Sequence, residues 1–96
     1  MAIRQVITFR VKPGAGAAFQ AGFAPIVAAV RSEPGCEHYE LFVSTTDPDT
    51  LVMLERWRDL ESLQGALKKL YKGPDDPAID FLKLIDGEPK RERYEV

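Results

Sequence analysis

Glu33-Pro34-Gly35-Cys36-Glu37-His38-Tyr39-Glu40-Leu41-Phe42, then Asp47-Pro48-Asp49, then Leu51-Val52-Met53-Leu54-Glu55-Arg56-Trp57 is the stretch that decides the fold. Pro-Gly opens it and Asp-Pro-Asp divides it. The two runs between are rich in aromatic and branched residues, which predicts a β-hairpin. Both strands carry apolar residues on both faces. Leu51, Met53 and Trp57 alternate with Val52 and Leu54, while Tyr39, Leu41 and Val43 alternate with Phe42. A sheet with one wet face shows a cleaner alternation.

Outward from the hairpin, Ile3, Gln5, Ile7, Phe9 and Val11 alternate with Arg4, Val6, Thr8 and Arg10, the period of a half-buried strand. Pro13-Gly14-Ala15-Gly16 ends that strand. From Ala17 to Arg31, Phe19, Phe23, Ile26, Val27 and Val30 recur at helical spacing. Pro25 lies inside this helix, where it removes a hydrogen bond and costs about 3 kcal/mol unless the helix kinks.

Beyond the hairpin, Asp59 is a suitable N-cap, and Leu60, Leu63, Leu67 and Leu70 stripe a second helix. Asp76-Pro77 starts a short third helix with Ile79, Phe81, Leu82 and Ile85 on its apolar side, closed by Gly87. Pro89 to Val96 is charged and reads as an edge strand. The order β-α-β-β-α-α-β is the split βαβ plan of a ferredoxin-like α+β sandwich, a single domain over 1–96 with a four-stranded antiparallel sheet.

Helices cover only one face of such a sheet. The other face is expected to be covered by a second copy, giving a homodimer packed through the open sheet face. The chain has 96 residues, 45% hydrophobic and 29% charged. At that length only about 60–65% of the unfolded surface is buried, which also favours a partner. A net charge of -2 gives no case for nucleic acid or an anionic membrane. No run approaches the roughly 20 apolar residues of a membrane span. A lone cysteine, Cys36, excludes an internal disulfide and fits a reducing, cytoplasmic setting.

The hairpin residues, from Glu33-Pro34-Gly35-Cys36 through Tyr39-Glu40-Leu41-Phe42, Asp47-Pro48 and Leu54-Glu55-Arg56-Trp57 to Asp59 and Leu63, resemble the antibiotic-biosynthesis-monooxygenase family of dimeric α+β-barrel proteins, which includes quinol monooxygenases. The resemblance implies a monooxygenase acting on a small aromatic quinol or anthrone-like molecule without a cofactor. The rivals to that reading are a non-catalytic dimer of the same fold that binds a small molecule and a purely structural dimer. In many relatives a histidine stands where this chain has Ala66. The haem-degrading branch has an asparagine near Ile7 and a tryptophan near Ala66, neither of which is present. The aromatic-polyketide branch has an asparagine at the place of Met53, and of that set only Trp57 remains.

Trp57 and Glu55 are the candidate catalytic pair. An indole beside a carboxylate can stack on a flat ligand and orient a phenol. The competing reading of Trp57 is a core aromatic with a buried N–H partner. Burial would raise the pKa of Glu55 and suit it as a base for a quinol hydroxyl. The alternative is a salt bridge to Arg4 or Arg10 across the sheet. Phe9, Phe23, Tyr71 and Phe81 are expected to line the substrate cavity together with Trp57.

His38 has no fixed histidine or cysteine companion, so neither a triad nor a metal site is expected. Cys36 lacks a strongly basic neighbour and reads as structural. No metal, flavin or haem signature is visible. Gly14 and Gly16 have neither the spacing nor the following Lys-Ser/Thr of a phosphate loop.

Overall fold

In the computed structural model, which describes residues 1–96, seven elements follow in order. They are β1 (Ile3–Arg10), α1 (Gly16–Arg31), β2 (Cys36–Val43), β3 (Thr50–Trp57), α2 (Leu60–Leu70), a 3₁₀ helix (Pro77–Leu84) and β4 (Lys90–Glu95). The sheet is antiparallel in the order β2-β3-β1-β4. This is the α+β ferredoxin-like plan expected from the element order.

The hairpin turn is built by side chains rather than by glycine. Ser44 Oγ accepts from the Thr46 and Asp47 amides, and Asp47 accepts from the Asp49 amide and the Thr50 hydroxyl. Those bonds to the charged form hold the Asp47 carboxyl below its usual range. Asp59 caps α2 as expected, accepting from the Ser62 amide at 2.7 Å. Asp76 does the same for the 3₁₀ helix through the Ala78 amide.

The periods of the strands set what is covered. The odd residues of β1 and β3 face the helices: Ile3, Gln5, Ile7, Phe9, Leu51, Met53, Glu55 and Trp57 are all buried. The even residues, with Arg4, Arg10, Val6, Val52 and Leu54 among them, lie on the open face.

One feature departs from expectation and one agrees with it. The second helix buries Leu63 and Ala66, while Leu60 and Leu67 stay exposed, because its inward stripe runs through the smaller residue. And α1 continues through Pro25 to Arg31. Gly22 explains how the 3₁₀ helix sits so close to α1. A Cβ there would lie 2.4 Å from the Phe81 Cβ, so only hydrogen fits.

Candidate functional site

The helix-covered face holds two clusters. One gathers Phe9, Phe19, Phe23, Leu51, Met53 and Ile7, with Phe81 packed on it from the 3₁₀ helix. Its rings meet at centroid distances of 5.1–5.8 Å in tilted and edge-on contacts, the arrangement favoured by aromatic quadrupoles. The other gathers Ile3, Val30, Trp57, Leu63 and Ala66, with Tyr39 packed against it.

Glu55 lies at this second end, between Gln5 on β1 and Tyr39 on β2 in the strand register. Its surroundings follow from β pairing. Antiparallel partners on one face stand side by side, so Gln5, Glu55 and Tyr39 form a row across three strands. Glu55 is 4% exposed and Trp57 2%. The indole Nε1–H of Trp57 donates to Glu55 Oε1 at 2.9 Å, and the Gln5 side-chain amide donates to Oε2 at 2.9 Å. On the outer side, Arg93 of β4 donates to Gln5 Oε1.

Burial pushes the Glu55 carboxyl up, and the bonds from Gln5 and Trp57, with the charges of Arg91 and Arg93, act against that rise. Burial, and then the neighbouring Glu55, push the Tyr39 phenol up as well. The Cys36 thiol is raised for the same two reasons, in the same order, so it is no thiolate nucleophile.

The expected salt bridge from Glu55 to Arg4 or Arg10 is not formed. Both arginines sit at even positions of β1 and project to the opposite face, Arg10 towards Asp47. The true partner on β1 is the odd residue between them in the alternation, Gln5. Its position inside an apolar run, between Ile3 and Ile7, was a readable signal. Arg93 had none, because β4 is exposed along its whole length and every residue but Tyr94 is charged.

The expected lining residues are distributed unevenly. Phe9, Phe23 and Phe81 come together with Phe19, and Trp57 stands at the other end beside Glu55. Tyr71 caps the C-terminal end of α2 at 59% exposure, apart from both. His38 contacts Glu40 on β2 at 3.1 Å. No three His, Cys, Asp or Glu side chains converge as metal ligands would.

Two open grooves mark the surface. One, of about 390 Å³, runs beside the start of α2 and is polar, with Glu33, Arg58, Glu61 and Lys69 among its walls. The other, of about 360 Å³, lies between α1 and the β2 edge and is mostly apolar, lined by Phe23, Ala24, Val27, Leu41, Arg31 and Glu40 among others. Neither is lined by Trp57 or Glu55.

Comparison with known proteins agrees with the fold. The antibiotic biosynthesis monooxygenase family matches residues 2–70, and the chain belongs to that family. Among solved structures, a conserved protein from Methanosarcina mazei superposes with a TM-score of 0.84 at 26% identity, over 98% of this chain and 91% of that one. SnoaB, a cofactor-independent oxygenase from Streptomyces nogalater, superposes with a TM-score of 0.80 at 22% identity, over 99% and 92%. Rv0793 from Mycobacterium tuberculosis gives 0.80 at 20% identity, over 100% and 95%. No curated protein matches the chain in sequence.

Proposed function

We propose that the chain is a monooxygenase that uses no metal, flavin or haem, acting on a small aromatic quinol or anthrone-like substrate. The observation that carries this reading is Glu55, a buried carboxylate held by two neutral donors on the same face as the only tryptophan. Membership of the family and the likeness in fold to a cofactor-independent oxygenase support it.

In this reading Glu55 takes the proton of a phenol or enol hydroxyl. The resulting anion gives one electron to dioxygen, and the radical pair joins as a peroxide at the ring carbon. Glu55 returns its proton to that peroxide, and loss of water, taking the remaining C–H hydrogen, leaves a carbonyl. One oxygen atom enters the product and the other leaves as water, with all four electrons supplied by the substrate. Water exclusion at the Trp57 end suits such anionic intermediates. Ala66 faces this cluster where many relatives place histidine, which leaves Glu55 as the base.

Access runs from the apolar groove. Leu41 in that groove and Tyr39 next to Glu55 share one face of β2, so a flat ligand reaches the carboxylate by displacing the Tyr39 ring. The proposal includes a cytoplasmic homodimer that covers Val6, Val52, Leu54 and the exposed Phe42 on the open face. Sedimentation equilibrium at micromolar concentration is expected to give twice the 10.8 kDa chain mass, and Leu54→Glu to return it to the monomer.

The deciding experiment measures oxygen uptake and Trp57 fluorescence on adding quinols and anthrones. Saturable quenching with oxygen uptake is expected, and Glu55→Gln is expected to keep the quenching while uptake falls at least about tenfold. The closure of Trp57 and Glu55 from solvent favours a second reading, a non-catalytic binder. Quenching without uptake by any substrate would establish that one instead.

A further inference from the structure

We infer that Arg93 is a positioning residue for Glu55, acting through the side chain of Gln5; this rests on the reading of Glu55 as the base. The guanidinium of arginine has donors and no acceptor, so it can meet only the oxygen of the Gln5 amide. That contact turns the amide NH₂ inward, where it donates to Glu55 Oε2. Without Arg93 the amide is free to flip. Flipped, it presents its oxygen to the carboxylate, an acceptor facing an acceptor, and the ionised form loses a donor.

The element that supplies Arg93 lies outside the segment the family matches, which ends at residue 70. The strand β4 is exposed along its length and joins the sheet only through β1. It offers little to the core, yet it sets the orientation of a buried amide.

Other groups face Glu55 and bear on its titration. On β2 these are Tyr39 and Cys36, and on β4 Arg91 and Arg93. From α1, Arg31 donates to the Tyr39 carbonyl. Arg91 shares the face of Arg93 but pairs with Ile7 in register, so it acts by charge alone. It is therefore the proper control.

Trp57 is the reporter, because its N–H donates to Glu55 and no other tryptophan is present. Fluorescence against pH gives a transition that is assigned to Glu55 by its loss in Glu55→Gln. Arg93→Met is expected to move the midpoint upward by about one pH unit, a tenfold rise in proton affinity. Arg91→Met, which removes the same charge without the bond to Gln5, is expected to move it by less than about half as much. Equal shifts in the two variants, or none in Arg93→Met, would overturn the proposal. If circular dichroism shows Arg93→Met unfolded, Arg93→Lys is read in its place. Lysine keeps the charge but not the planar donor that fixes the amide. A rise of about threefold in proton affinity is then expected, and a midpoint equal to the parent chain overturns the inference. No substrate enters this measurement, so a chain that takes up no oxygen defeats the oxygenase reading and leaves the role of Arg93 to be judged on the midpoints.

Discussion

The two ends of the helix-covered face are made of the same strands and differ in one respect. At the Phe9 end, four phenylalanines close on one another and no buried carboxylate or amide enters. At the Trp57 end, the same alternation places Gln5 and Glu55 among apolar residues, and every buried polar side-chain atom there finds a partner. The first end is held by contact area alone. The second spends stability on a buried carboxylate, which a fold keeps only where its hydrogen bonds are satisfied. Positions 5 and 55 are where two strands depart from their own apolar pattern, and they face each other.

That contrast can be broken most severely at the phenylalanine end. Phe19→Ala is expected to cost about 3–5 kcal/mol in denaturant unfolding, since it leaves a cavity between three other rings. A cost below about 1 kcal/mol would mean that this end collapses freely and is no rigid core. Gly22→Ala is expected to cost about 1–3 kcal/mol, by forcing the 3₁₀ helix away from α1 at Phe81. Both losses should leave the pH midpoint of Glu55 unchanged, because neither residue touches it.

At the other end the expected stability effects are smaller and the chemical ones larger. Trp57→Phe keeps much of the ring volume and is expected to cost about 1–2 kcal/mol. It also removes the donor to Glu55 Oε1, so the carboxyl should rise further. Chemical shifts of the Glu55 side-chain carbon against pH would show it, and an unchanged titration would mean that the indole bond is not formed in solution.

The smallest expected effect is the slope of stability with pH. Glu55 is raised in the folded chain above its ordinary value of 4.5, so the folded state binds the proton more tightly than the unfolded one. Its contribution is therefore greatest at low pH and declines as pH rises from near 4.5 through the folded midpoint. Subtracting the Glu55→Gln curve from that of the parent should isolate this fall. A difference that rises with pH in that window would reverse the assignment of burial as the stronger influence.

Much of this was legible in the residues. Period-two alternation placed the buried faces of β1 and β3 correctly, and Asp59 and Asp76-Pro77 marked the helix starts. The partner of Glu55 is the exception, since the expected Arg4 and Arg10 occupy even positions of β1 on the opposite face. Alternation alone excludes them and selects Gln5. Arg93 was beyond reach for a different reason. Its strand, Lys-Arg-Glu-Arg-Tyr-Glu, has no apolar face, so nothing in it fixes a register against β1. The spread of the aromatic residues was also hidden: spacing places Phe9, Phe23 and Phe81 on inward faces, but their grouping away from Trp57 depends on how the 3₁₀ helix docks.

Gln5 and Arg93 are separated by 88 positions. During synthesis, at roughly 5–20 residues per second, the hairpin and Trp57 leave the ribosome seconds before Arg93 does. Until then the edge of β1 has no neighbour of its own chain, and the Gln5 amide has nothing to set its direction. Such distant pairings also form slowly in refolding, because a long loop must close before they return any stability. The carboxylate thus passes through a period in which the core around it is built and only the Trp57 indole is fixed as its donor. The polar centre of this small domain is the part completed last.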